Sequence, residues 1–111
     1  MEKIEKTIRY TSLFNIYHSL LSPTQQDVIN DYYFADLSLS EIAANRGISR
    51  SAVEDALSKG SAKLDEFEEK LHILEKNANL REKLLVLRGK ALNLKEAEDI
   101  DEMLKELDYG I

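Results

Sequence analysis

The chain predicts an all-α fold, a helix-turn-helix bundle with a long C-terminal helical extension. Three observations carry this prediction. Ser38, with Glu41 three residues on, makes a capping-box pattern, and Gly47 followed by Ser49 marks a tight turn between two short apolar stripes. Ahead of it, Ile4, Ile8, Leu13, Ile16, Tyr17 and Leu20 recur at helical spacing. Behind it, Leu64, Phe67, Leu71 and Leu74, then Leu80, Leu84, Leu87, Ala91 and Leu94, step by three and four as heptad seams do.

In chain order, Glu2 to Leu21 reads as an amphipathic helix facing inward through those six apolar residues, its Tyr10, Phe14 and Tyr17 suited to packing in a bundle. His18 reads as a boundary residue with one hydrogen bond. Ser22 then caps a helix whose first position is Pro23, where a missing N–H is harmless. That helix carries Val28, Ile29, Tyr32 and Tyr33 inward and stops near Ala35 and Asp36. Its Tyr32-Tyr33-Phe34 run is either core with a phenol at the rim or a platform for bases. Next come Leu39, Ile42 and small Ala43 on one helix, the left-handed residue Gly47, the plug Ile48, the cap Ser49, and Val53, Ala56 and Leu57 on the second helix. Gly60 either marks a break or is run through. Asn77-Ala78-Asn79 disturbs the seam register, so the stretch that follows fits one hinged helix or two antiparallel ones. Ile100, Met103, Leu104 and Leu107 make a last short helix, ended by Gly110.

Residues 1–70 are therefore expected to form the N-terminal helix plus helix-turn-helix domain, and 71–111 an extension used for packing or dimerisation. With 111 residues the chain can bury about two thirds of its unfolded surface, enough to fold without a metal or disulfide. It has no cysteine, which excludes disulfides and thiolate sites and fits a reducing cytoplasm. No apolar run approaches the ~18 residues of a membrane span, and Glu2, Glu5 and Arg9 break any signal-peptide core. The carboxylates lack His or Cys partners and a calcium loop, so no metal or other cofactor is expected. Nothing resembles a phosphate-cradling glycine loop, a nucleophile elbow or HExxH, so neither catalysis nor a small-molecule substrate is expected.

The stretches Leu21-Ser22-Pro23-Thr24-Gln25-Gln26, Val28-Ile29, Leu37 to Ala43 and Gly47 to Val53 resemble region 4 of sigma-70-type transcription factors, a module that reads promoter elements. With Tyr17-His18-Ser19-Leu20-Leu21 before them and Phe67-Glu68-Glu69-Lys70-Leu71 behind, the arrangement from Tyr10 to Leu71 is similar to the YlxM family of small bacterial proteins. That resemblance implies a DNA-binding regulator. Through the usual neighbourhood of its gene, it also implies a part in protein targeting with the signal recognition particle.

Net charge is -6, unfavourable for binding a polyanion. Between Ala44 and Lys63, however, four basic side chains (Arg46, Arg50, Lys59, Lys63) face two acidic ones (Glu54, Asp55), a local +2. The helix N-terminus at Ser49, Arg50 and Ser51 favours a phosphate, and the resemblance makes Arg50 the leading contact. Sigma-like recognition helices carry several Arg and Gln residues where this chain has Ser51, Glu54, Asp55, Ala56 and Ser58, so direct base reading is thinly supplied. The expected nucleic-acid contacts are thus Arg46, Ser49, Arg50, Ser51, Lys59 and Lys63. Leu80, Leu84, Leu87, Ala91 and Leu94 are the expected dimer or partner seam. A homodimer is expected, since such proteins commonly present two heads to two half-sites. The alternative is a protein-interaction or RNA-binding module that docks a signal recognition particle component without sequence-specific DNA binding.

Overall fold

The computed structural model describes residues 2–109, and every element among them is helical. Helix α1 (Glu2–Tyr17) closes in a 3-10 turn, His18–Leu20, and stops short of the expected Leu21. The reason is local: Ser22 precedes a proline and is held extended, with ψ at 156°. Ser22 and Gln25 form a reciprocal capping box that opens α2 (Pro23–Ile29), and the helix continues as a π-helical turn, Asn30–Phe34. Ser38 and Glu41 form a second capping box that opens α3 (Leu39–Arg46). Gly47 takes the left-handed conformation, φ 65°, and both its N–H and that of Ile48 donate to the Ala43 carbonyl. Ser49 then starts α4 (Arg50–Leu71).

Val28, Ile42, Val53 and Ala56 form the buried centre of the helix-turn-helix, ringed by Tyr32, Leu37, Leu39, Ala43, Ile48 and Leu57. Each fully buried aliphatic side chain contributes roughly 1.5–3 kcal/mol. Leu13 and Tyr17 of α1, Ile29 of α2 and Leu64 of α4 are buried as well. Arg9 and Tyr10 of α1 bond Asp65 of α4. Ile4 and Ile8, expected to face inward, instead stay exposed at 55% and 62%, and Leu20 is exposed in the 3-10 turn.

Helix α4 runs straight through Gly60, which is buried against α2: an added Cβ would lie 2.7 Å from Ile29 Cδ1 and 3.3 Å from Gln25 Cβ. Close approach, not a helix break, explains this glycine. The break falls instead at His72, a non-glycine residue with φ 55°, between α4 and α5 (Ile73–Gly89). Leu64, Phe67, Leu71 and Leu74 are thus not one continuous seam, and Asn77-Ala78-Asn79 lies inside α5 without interrupting it.

The contacts divide the chain into two units, one ending at Leu71 and the other beginning at His72. In the second, α5 and α6 (Leu94–Tyr109) make an antiparallel hairpin clasped by Arg81–Asp108 at 3.0 Å and Arg88–Asp101 at 2.9 Å. Asn93 caps α6 by accepting the Glu96 N–H. Leu84 and Ala97 are the buried residues of this hairpin, with Ile100, Leu104 and Leu107 half-buried around them. The expected Gly110 terminator lies outside the described residues. No helix among those described is long and apolar enough to cross a membrane.

Candidate nucleic-acid interface

The turn fixes what α4 can present. Ser49 Oγ accepts the Ala52 N–H at 3.0 Å, so this hydroxyl serves as the helix cap. Val53, Ala56, Gly60 and Leu64 point into the core, leaving Arg50, Ser51, Glu54, Asp55, Ser58, Lys59 and Lys63 exposed along the outer face. Arg50 and Ser51 occupy the first two positions of α4, where unpaired backbone N–H groups and the positive end of the helix dipole favour an anion.

Two of the three cations on this face, Arg50 and Lys59, are already matched by acids. Arg50 Nε lies 3.4 Å from Glu54 Oε1, and Lys59 Nζ lies 3.3 Å from Asp55 Oδ2, both one helical turn apart. Arg46 stands off α4, at the end of α3, and its guanidinium is held by two bonds to the buried Asp31 with Asp27 at 3.4 Å. The hydrogen bonds that Arg46 donates to Asp31 raise the guanidinium pKa above its ordinary value. Lys63 Nζ reaches Gln25 Oε1 at 3.4 Å. The structure thus brings Ser49, Arg50, Ser51, Lys59 and Lys63 onto one helix and leaves Arg46 beside it.

The five expected seam residues do not lie on one helix. Leu84 is buried inside the hairpin and Ala91 half-buried in the turn. Leu80 (47% exposed), Leu87 (52%) and Leu94 (72%) are open, Leu94 as the first residue of α6.

Sequence reasoning missed two clusters. Asp31 gives no local sign that it will meet a residue fifteen positions away. Asp65, read as part of a solvated face, accepts Arg9 (Nη2–Oδ1 2.8 Å) and the Tyr10 hydroxyl (2.8 Å) across 55 to 56 residues. Burial, with that bond to Asp65, pushes the Tyr10 hydroxyl up to about 12. Tyr10 stacks on Tyr33, and Tyr32 meets Tyr33 edge-on. His18 Nδ1 lies 3.0 Å from the Phe14 carbonyl, and among the described residues no cluster suited to a metal ion occurs.

Residues 4–106 match the family model for UPF0122, described as "Putative helix-turn-helix protein, YlxM / p13 like". The chain is 38% identical over 105 residues to the UPF0122 protein YlxM of Bacillus subtilis (strain 168), covering 95% of this chain and 96% of that one. It is 45% identical over 85 residues to a UPF0122 protein of Shouchella clausii (strain KSM-K16), covering 77% and 78%. A UPF0122 protein of Bacillus cereus (strain Q1) is 40% identical over 104 residues, covering 94% and 92%. The chain belongs to this helix-turn-helix family.

Proposed function

We propose that this member of the UPF0122 family is a non-catalytic cytoplasmic regulator that binds nucleic acid, DNA first among them, as a homodimer. One observation carries the reading: a glycine-turned pair of helices leaves the outer face of α4 from Arg50 to Lys63 open to solvent. Arg50 and Ser51 meet phosphate at the helix start, and Lys59 and Lys63 extend the contact. Affinity is low, because Glu54 and Asp55 repel the same phosphates. The exposed Leu80, Leu87 and Leu94 favour a second copy at the hairpin. The test is retention on duplex DNA and on RNA at low and high salt. Arg50→Glu is expected to abolish it with the helical circular-dichroism spectrum unchanged; undiminished binding overturns the reading.

A second reading is favoured by the pairing of Arg46, Arg50 and Lys59 with carboxylates. On it, the chain docks a protein partner, and the family resemblance points to a signal recognition particle component. Affinity capture from cell extract at two salt concentrations separates the readings: it recovers salt-sensitive nucleic acid on the first and protein on the second.

A further inference from the structure

We propose that the hairpin of α5 and α6 pairs with a second copy of itself in one defined way: α5 lies antiparallel on the partner's α6, and the two-fold axis runs along the helices. This deepens the homodimer part of the proposed function and rests on it, while fixing which helix meets which. The arrangement starts from one open face. At about 100° per residue, Ile73, Leu80 and Leu87 recur on one flank of α5 beside the buried Leu84. On α6, Ile100, Met103 and Leu107 hold the corresponding flank beside the buried Ala97. The clasps Arg81–Asp108 and Arg88–Asp101 close one side of the hairpin, and these two apolar flanks share the other. Leu80, Leu87 and Met103 are exposed there.

Charge chooses the occupant. Beyond the apolar face, the outer edge of α5 and its end carries Lys83 and Lys90, and the outer edge of α6 carries Asp99 and Glu106, each pair at heptad spacing. All four are exposed, and among the described residues none has a counter-ion, the two edges lying on opposite sides of the hairpin. The clasps also fix the register. Arg81 is level with Asp108 and Arg88 with Asp101, so Lys83 is level with Glu106, Lys90 with Asp99, and Leu87 with the turn that holds Met103. A two-fold axis parallel to the helices keeps those levels and lays α5 over the partner's α6. Leu87 then packs on the partner's Met103, Lys83 reaches the partner's Glu106 and Lys90 the partner's Asp99, each contact made twice. Salt bridges flanking an apolar seam select partner and orientation in this way. An axis across the helices would instead set α5 on α5 and α6 on α6, lysine against lysine and carboxylate against carboxylate. A basic partner would satisfy only the α6 edge and an acidic one only the α5 edge; a second copy satisfies both.

The chain has no cysteine, so introduced thiols report the geometry directly. A disulfide needs its two Cα atoms within about 7 Å. The full-length chain carrying Leu87→Cys together with Met103→Cys is expected to give a covalent dimer on oxidation, and each single variant is expected to give none. Lys83→Glu with Lys90→Glu is expected to weaken dimerisation about tenfold in sedimentation analysis, with the circular-dichroism spectrum unchanged. Adding Asp99→Lys and Glu106→Lys to that same chain exchanges the two edges and is expected to restore the dimer. A parent chain that sediments as a monomer overturns this arrangement and the homodimer reading together. A dimer that charge reversal does not weaken, that the exchanged edges do not rescue, that the double-thiol chain fails to link, or that a single thiol links, overturns the arrangement and leaves the homodimer reading standing.

Discussion

Arg46 grips the carboxylate of Asp31 with two hydrogen bonds, Nε to Oδ2 at 2.8 Å and Nη2 to Oδ1 at 3.0 Å, and Asp31 is only 8% exposed. The pair ties the last turn of α3 to the π-helical turn after α2, so it holds the helix-turn-helix at its base. Removing the fork leaves a buried carboxylate without its counter-ion. Arg46→Ala is expected to lower the urea midpoint of unfolding, and Arg46→Lys to restore only part of it, because an ammonium cannot make the bidentate contact. Arg50→Ala, at an exposed position, is expected to leave the midpoint in place. An Arg46→Ala variant that loses nucleic acid at an unchanged midpoint would instead assign Arg46 to the ligand.

Gly60 gives the second prediction. Alanine is intrinsically the better helix former by up to ~1 kcal/mol, yet here its methyl would press on Ile29 Cδ1 at 2.7 Å and Gln25 Cβ at 3.3 Å. Ile29 is fully buried, so it has little room to move, and overpacking of this kind costs roughly 1–3 kcal/mol. Gly60→Ala is expected to destabilise by about 1 kcal/mol and Gly60→Val by more, both read from urea unfolding followed by circular dichroism. A stabilised Gly60→Ala protein would show that α2 and α4 are less tightly opposed.

What was legible in the sequence is what short-range chemistry dictates. Ser38 with Glu41, Pro23 after Ser22, and Gly47 before a second cap each act within a few residues, and all three features stand where the pattern put them. The choice between a break and a continuous helix at Gly60 depended on Ile29, which lies 31 positions earlier. The break at His72 has no glycine or proline to announce it, whereas Asn77-Ala78-Asn79 offered polar residues that the helix absorbs. The outer face of α4 was readable from its inward stripe. The matching of cations by acids was half readable: Arg50–Glu54 and Lys59–Asp55 on α4 follow from four-residue spacing, while Arg46–Asp31, off that face, needed the fold.

Those intrahelical pairs make a prediction for the nucleic-acid reading. Phosphate must displace or outcompete Glu54 and Asp55 to reach Arg50 and Lys59. Glu54→Gln with Asp55→Asn removes two repelling charges and frees both cations. Retention at low salt is expected to rise about tenfold, and the dependence of log K on log salt to steepen by about one for each additional phosphate neutralised. Filter binding at a series of salt concentrations measures both. Unimproved retention would count against α4 as the binding face.

Tyr10 predicts a loss of stability at high pH. Its folded pKa, raised to about 12 by burial and the Asp65 bond, exceeds the ordinary value of 10.0. Below pH 10 both folded and unfolded forms are protonated and the contribution is complete. Between pH 10 and 12 the unfolded chain releases this proton and the folded chain keeps it, so stability falls as pH rises. Tyr33, raised chiefly by burial, acts in the same direction. The phenolate absorbance of the folded protein is expected to show tyrosines titrating late, with Tyr10→Phe removing one of them and flattening the fall in stability. A variant that keeps every late-titrating phenol and loses one that titrates at the ordinary value would show that Tyr10 is open to solvent.

The hairpin leucines separate folding from assembly. Leu84 is 8% exposed and sits between the two ion pairs that clasp α5 to α6, so a carboxylate there enters the hairpin interior without a partner. Leu84→Asp is therefore expected to lose hairpin helicity, whatever the oligomeric state. Leu80 and Leu87 are exposed at 47% and 52%, and an aspartate at either place is solvated in a monomer. Only if a second copy covers them does the charge become buried and unpaired, and it then opposes association. Leu80→Asp and Leu87→Asp are each expected to keep the circular-dichroism spectrum of the parent chain while halving the mass measured by light scattering. A parent chain that scatters as a monomer would remove the dimer from the proposal. A dimer that both variants leave intact would move its interface away from these leucines.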